Sequence, residues 1–172
     1  MSAIEIVDLD VREPALVEAI SFFEFLDSPQ QMKWEYHEAT QEESVSERAR
    51  EFLDRLKRPG RRNHLLWALQ GESVVGMVGL HRLEAYEGHC AEIGFGVAAS
   101  HTRQGVGTRL LLVSIDKARS LDLKRLQADC FADNTAAIAL LKRTGFVQEG
   151  VKRSAVLKEG RLRDVSLWGL LL

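Results

Sequence analysis

The period of apolar and polar positions changes several times along the chain, and each change predicts an element. Ile4 and Ile6, then Val7, Leu9 and Val11, alternate through IEIVDLDV and predict a first strand over 4–11. Pro14 suits the first position of a helix, and Leu16, Val17, Ile20 and Phe23 mark one face of it. The polar stretch DSPQQMKWEYHEATQEE predicts a long connection holding Trp34 and Tyr36, of the sort that carries function or mobility. Val45, Ala49, Phe52, Leu53 and Leu56 return to helical spacing, which stops near Pro59 and Gly60. NHLLWALQ and VVGMVGLHRL predict two strands joined by GES as a hairpin, and HCAEIGFGV predicts another strand.

From Leu110 the spacing is helical again, through Leu111, Ile115, Ala118 and Leu121. RLQADCF predicts a strand. NTAAIALLKRTG predicts a helix, with Asn134 placed to cap it and Gly145 at its end. The last 27 residues predict two strands around KEG. The resulting order, β-α-α-β-β-β-α-β-α-β-β, implies a mixed sheet packed by helices, in the α/β or α+β class.

Composition narrows the partners. A length of 172 residues favours one domain with a sizeable core. Lys and Arg number 23 against 25 Asp and Glu, so the net charge of -2 gives no electrostatic reason to expect nucleic acid or an anionic membrane. Cys90 and Cys130 both lie in apolar runs, as buried free thiols in a reducing compartment would. With five His, no metal-ligand spacing appears, and no metal is expected. The first ten residues lack the form of a signal peptide, and no apolar run reaches the ~18 residues of a membrane span. The expectation is a cytoplasmic protein.

The candidate chemistry begins at HTRQGVGTRLLL, where two glycines open a helix although each costs it roughly 1 kcal/mol relative to alanine. A strand, a glycine turn and a helix start aim unpaired backbone N–H groups and a partial positive charge outward, the arrangement that holds a phosphate. GVGTRL is not G-x-G-x-x-G, because Leu110 stands at the third glycine, and no P-loop lysine follows. Alone, the corner reads either as an anion cradle or as a plain glycine-rich connection. The strand before it raises a similar choice. Ala91, Ile93, Phe95 and Val97 share one face; Glu92, Gly94 and Gly96 share the other, which is bare for two positions. A bulge, close helix packing or an extended ligand would each account for that.

TRQGVG resembles the pyrophosphate loop of the GNAT superfamily of N-acetyltransferases, Gln/Arg-x-x-Gly-x-Gly/Ala, matching at Gly105 and Gly107 and departing at Thr102. DNTAAIALLKRTGFVQEG is similar to that family's second signature at Asn134, Ala137, Leu140, Gly145, Phe146, Glu149 and Gly150. The resemblance covers essentially the whole chain and is weakest over 1–60. Its tail is most similar to the bacterial branch that acetylates amino acids and other small amines.

The resemblance implies one N-acetyltransferase domain over 1–172, with a twisted, mostly antiparallel sheet flanked by helices on both faces. It implies acetyl-CoA as cosubstrate, a small-molecule amine as acceptor, and is compatible with a homodimer. The pantetheine arm would pair with the backbone at Phe95, Gly96 and Val97. The pyrophosphate would meet Arg103, Gln104, Gly105, Val106, Gly107 and Thr108, and Asn134 would bond the arm as well as cap its helix. Glu92 would be the general base, with Asp129 on the next strand as the other candidate; each also reads as a surface carboxylate. Leu141 stands where the family often has a tyrosine that protonates the leaving thiolate, which leaves Tyr86, His101 and solvent open. Acetylation of a protein N-terminus or lysine, and non-catalytic acyl-CoA binding, are the alternatives.

Overall fold

Alternation of apolar and polar residues becomes strand, and helical spacing becomes helix, in the order the pattern predicts. The computed structural model describes residues 3–29, 31, 44–58, 60 and 62–172; Trp34 and Tyr36 lie outside them. The elements are β1 (Ile4–Asp8), α1 (Leu16–Leu26), α2 (Val45–Leu56), β2 (Asn63–Gln70), β3 (Ser73–Arg82) and β4 (Cys90–Val97). There follow α3 (Val106–Ser120), β5 (Arg125–Phe131), α4 (Thr135–Arg143), β6 (Val147–Lys158) and β7 (Arg161–Leu171). The strands form one sheet in the order β1-β2-β3-β4-β5-β7-β6. Every pairing is antiparallel except β4 with β5.

The first strand and the first helix each differ from the sequence expectation at one boundary, for a local reason. The first strand ends at Asp8 rather than Val11. The Asp8 carboxylate accepts the Asp10 N–H at 2.9 Å, and its carbonyl accepts from Val11 and Arg12, so the chain turns. Val11 is 85% exposed as a result. The first helix starts at Leu16 rather than Pro14, because Glu18 reaches back to the Ala15 N–H at 2.8 Å and sets the start there.

Helices cover both faces of the sheet. On one, Val78, Leu80, Ile93, Leu126 and Trp168 pack under Leu110, Leu111 and Ile115 of α3 and Leu141 of α4. On the other, Phe22 and Phe23 of α1 and Phe52 of α2 close over Trp67. Trp67 stacks on Phe22 at 4.8 Å and on Phe52 at 5.7 Å between ring centroids. This second layer lies over the β1–β3 half of the sheet, and the β4–β7 half of that face opens into a cleft.

The helix beside the glycine corner is fastened far from its start. Lys117 of α3 reaches Asp8 and Asp10 at 2.8 Å each, tying α3 to the first strand. Burial pushes the Asp10 carboxyl up, but hydrogen bonds from Lys117 and His64 outweigh it and hold the group below its ordinary range. Among the described residues no helix is long and apolar enough to cross a membrane.

Candidate active site

Strands β4 and β5 start as parallel neighbours and then separate. Only Cys90, Ala91 and Glu92 pair with Arg125, Leu126 and Gln127. Beyond that rung β4 stays paired with β3 as far as Val97, while β5 stays paired with β7 as far as Phe131. The gap opens into a cleft of about 790 Å³ lined by Glu92, Gly94, Phe95, Gly96, Gln127 and Asp129 among others. The Ala98 N–H donates to the Val75 carbonyl on β3 at 2.9 Å. Alternation along the strand therefore turns the backbone groups of Phe95 and Val97 the other way, toward the split. An extended ligand would meet the edge of β4 there.

The two glycines of the corner have different duties. Gly105 is the N-cap of α3 with φ +80°, a left-handed conformation natural to glycine, and a Cβ there would meet nothing within 4 Å. Gly107 faces inward: a Cβ would stand 2.9 Å from Leu140 Cδ2 and 3.4 Å from Val97 Cγ2. Its bareness serves the packing of α3 against α4 and β4. The place of a side chain is thus open at Gly105 and taken by Leu140 and Val97 at Gly107.

Around Gly105 the polar side chains brace the loop. Gln104 Nε2 donates to the Ser100 carbonyl at 2.8 Å, and Thr102 Oγ1 to the Ala99 carbonyl at 2.9 Å. His101 lies between Ser100 Oγ at 2.8 Å and Gln70 Oε1 at 3.1 Å. Arg103 is left-handed with φ +59°. Among the described residues the helix start has no side-chain cap, and its first turn has no acidic residue. The other three described helices are served: α1 by Glu18, α2 by Ser44 with Glu47, and α4 by Asn134. The backbone N–H groups of Gly107 and Thr108, in the first turn of α3, lack intrahelical partners by geometry and point where an anion would be welcome.

On the bare strand the glycines also diverge. A Cβ on Gly94 would meet nothing within 4 Å. One on Gly96 would run into Gln31 Oε1 and stand 3.2 Å from Phe25 Cζ. The same Gln31 donates from Nε2 to the Val97 carbonyl at 2.9 Å. The protein itself thus fills the place that Gly96 leaves.

Glu92 stands at the apex of the split, on the last shared rung, exposed to the cleft and opposite His81 of β3. Gln127 Nε2 approaches Glu92 Oε1 at 3.4 Å. Asp129 lies two residues further along β5, also exposed and lining the cleft. The structure thus brings both sequence-nominated carboxylates to one cavity. Beside them Arg125 and Glu149 form a two-pronged ion pair, Nη1 on Oε1 at 2.7 Å and Nη2 on Oε2. The hydrogen bond from Arg125 holds the Glu149 carboxyl below its ordinary range and pushes Arg125 higher. Gly169 makes room for the pair, since a Cβ there would run into both heads.

Asn134 is 8% exposed and caps α4, its Oδ1 accepting the Ala137 N–H at 3.1 Å. Its Nδ2 has no hydrogen-bond partner among the described residues. Leu141 is fully buried in the core under α4, so its position offers no proton to the cleft. Tyr86 is 98% exposed and lines no part of the cleft. Sequence reasoning passed over Gln31, Gln127 and Arg125. Glu149 was visible only as a match to the second signature, with no duty attached.

A split strand pair beside an uncapped helix start can be compared with known proteins. An uncharacterised N-acetyltransferase p20 from Bacillus licheniformis is 33% identical over 101 residues, 58% of this chain and 56% of its own length. An N-alpha-acetyltransferase RimI from Mycobacterium tuberculosis is 33% identical over 53% of this chain and 56% of its own length. The chain therefore spans a little over half of these curated relatives. A spermidine N-acetyltransferase from Vibrio cholerae, solved with CoA and spermine, superposes with a TM-score of 0.79 at 19% identity, covering 96% of this chain and 95% of its own. The model of the acetyltransferase (GNAT) family matches residues 27–146, and the chain belongs to that family of acyltransferases.

Proposed function

We propose that the chain transfers an acetyl group from acetyl-CoA to the primary amine of a small molecule such as an amino acid, as one domain over residues 1–172. The observation that carries this reading is the separation of β4 from β5 beyond Glu92 and Gln127, which leaves a strand edge facing a cleft. An arm carrying amides would add there as a further strand, held by the backbone at Phe95 and Val97 with Gly96 between them. The pyrophosphate would settle on the loop from Arg103 to Thr108, where Gly105 is open and the first amides of α3 are uncapped. The Asn134 Nδ2 would give the arm one more donor. These residues fit acetyl-CoA, which supplies an activated acetyl thioester.

The chain's own task is then proton management. A primary amine of pKa ~10.4 is cationic at pH 7, and freeing its lone pair costs about 4–5 kcal/mol. Glu92 is the base in this reading, at the apex where the acceptor would meet the thioester end. Asp129 is the alternative base on the neighbouring strand. Neither Leu141 nor Tyr86 offers a proton to the leaving thiolate, which at pKa ~8.5 departs near neutral pH without strong assistance.

A second reading, acetylation of a peptide N-terminus, is favoured by the similarity to the mycobacterial N-alpha-acetyltransferase. A panel of amino acids, polyamines, aminoglycosides and short peptides, with release of free CoA thiol as readout, separates the two. Turnover with small amines supports the proposal, and turnover confined to peptides supports the second reading. CoA binding without release on any amine would leave a binding module.

A further inference from the structure

Polar side chains stand in one row across the sheet, on the face that opens into the cleft. Asn63 of β2 is opposite His81 of β3, His81 is opposite Glu92 of β4, and Glu92 is opposite Gln127 of β5. All of them line the cleft. Each outer residue engages an inner one: Asn63 Oδ1 meets His81 Nδ1, and Gln127 Nε2 approaches Glu92 Oε1 at 3.4 Å. A carboxamide oxygen only accepts, so His81 Nδ1 carries the hydrogen and donates it. The lone pair of His81 Nε2 is then left over, and it has no partner among the described residues. One rung further along, Gly79 of β3 is opposite Gly94 of β4, and a Cβ on Gly94 would meet nothing within 4 Å. The floor beside His81 and Glu92 is therefore bare, with room for a small group that reaches both.

We propose that His81 receives at Nε2 the proton that Glu92 removes from the acceptor amine, the two side chains acting as a relay. The proposal rests on the acetyl-transfer reading above, with Glu92 as the base. First an N–H bond of the ammonium breaks, its electron pair stays on nitrogen, and an O–H bond forms on Glu92. That O–H bond then breaks as an N–H bond forms at His81 Nε2, which restores the carboxylate. The imidazolium returns the proton to solvent, to which the His81 ring is exposed. Side chains directly opposite in an antiparallel pair have Cβ atoms about 4.5–5.5 Å apart, near enough for transfer directly or across one water. A carboxylic acid of pKa ~4.3 passes a proton downhill to an imidazole of pKa ~6.5, a gap worth about 10²-fold in the yield of neutral amine. A purely structural Asn63–His81 bond, tying β2 to β3, predicts effects on stability and none on turnover.

The test is steady-state turnover of the panel's fastest amine with saturating acetyl-CoA, in wild type, His81→Gln and Asn63→Ala, with thermal melting of each. In His81→Gln, kcat should fall about 10²-fold while the KM for acetyl-CoA and the melting temperature hold. Free imidazole added to that variant should restore kcat, and it should leave wild type unmoved. Nitrogen-15 NMR of the ring, assigned by its loss in His81→Gln, should find the neutral ring's hydrogen on Nδ1. In Asn63→Ala that hydrogen should move toward Nε2, with a lower kcat. An unchanged kcat in His81→Gln overturns the proposal, and so does a loss that imidazole leaves in place. A wild-type ring with its hydrogen on Nε2 overturns it too. Wild-type protein that releases no CoA with any amine removes the acetyltransferase reading itself, a result separate from normal wild-type turnover with unaltered variants.

Discussion

Strand β4 is bordered by two neighbours in opposite ways. Toward β3 it is paired from Ala91 to Val97; toward β5 the ladder stops after Glu92. On the β3 side stand the stacked rings of Phe22, Phe52 and Trp67, under helices whose starts are satisfied by their own side chains. On the β5 side stand an open cleft, two exposed carboxylates and a helix whose start has no side-chain cap. One border spends its backbone groups on a strand ladder, and on the other the ladder stops at the cleft. Substitutions on the closed border should therefore change stability and leave kinetics alone, and those on the open border should do the reverse.

The largest effect is expected at the apex. If Glu92 takes the ammonium proton, Glu92→Gln should lower kcat by about 10²–10⁴, or about 2.7–5.4 kcal/mol of transition-state stabilisation. Its melting temperature and its affinity for CoA should hardly move, because the side chain is exposed. Raising the pH supplies neutral amine directly, so the defect should shrink in alkaline buffer or with an acceptor of lower pKa. Asp129→Asn, milder in this account, is the control. A large, pH-rescued loss in Asp129→Asn with a mild Glu92→Gln would move the base to the neighbouring strand.

On the closed border Trp67→Ala should cost about 3–5 kcal/mol of unfolding free energy, measured by denaturant titration. The ring is fully buried and touches both helices of its layer. Its Nε1 has no hydrogen-bond partner among the described residues, so Trp67→Phe removes an unsatisfied donor along with some volume and should cost far less. A KM for acetyl-CoA that shifts tenfold in well-folded Trp67→Phe would break the separation of the two borders.

How much of this was legible follows from where the information resides. Element order could be read because each element's period is local: Ile115 and Ala118 announce α3 without reference to any other segment. Val11 misled because alternation continues past the residue at which an Asp8 turn ends the strand. The hairpin turn was legible from Gly160, which takes φ +72°, whereas Glu159 at φ +51° adopts a conformation uncommon for a residue with a side chain. The glycines were legible as bare positions but not in their duties. Gly107 is bare for Leu140, and Gly96 for Gln31 and Phe25; nothing in GVG or GFG names those neighbours. Gln31 and Arg125 were invisible for the same reason, since their partners are 66 and 24 residues away.

The glycine corner sharpens the comparison at smaller amplitude. Gly107→Val drives a branched side chain between Leu140 and Val97 and should destabilise the fold by about 1–3 kcal/mol, so any loss of CoA binding would come with earlier melting. Gly105→Ala meets no atom of the described residues within 4 Å, and its cost is left-handed strain of about 1–2 kcal/mol. If the corner is a phosphate cradle, the alanine methyl at 105 projects into ligand space, and CoA affinity should fall at a temperature where the variant is fully folded. Unaltered affinity in Gly105→Ala would return the corner to the closed, structural side of the comparison.

The smallest expected effect lies at Asn134, where the two borders meet in one residue. Its Oδ1 belongs to the fold, capping α4 through the Ala137 N–H, while its Nδ2 has no partner among the described residues. Asn134→Asp keeps an acceptor for the cap and adds negative charge at a helix start, where charge of that sign is welcome. What it removes is the donor. The melting temperature should therefore stay nearly constant, while the KM for acetyl-CoA rises about 2- to 12-fold, the worth of one hydrogen bond. Asn134→Ala removes both groups, and should add a loss of about 0.5–2 kcal/mol in stability to a similar rise in KM. Earlier melting in both variants with an unmoved KM would assign Asn134 wholly to the fold. A KM that moves in Asn134→Asp at constant stability would show one side chain divided between holding the helix and holding the ligand.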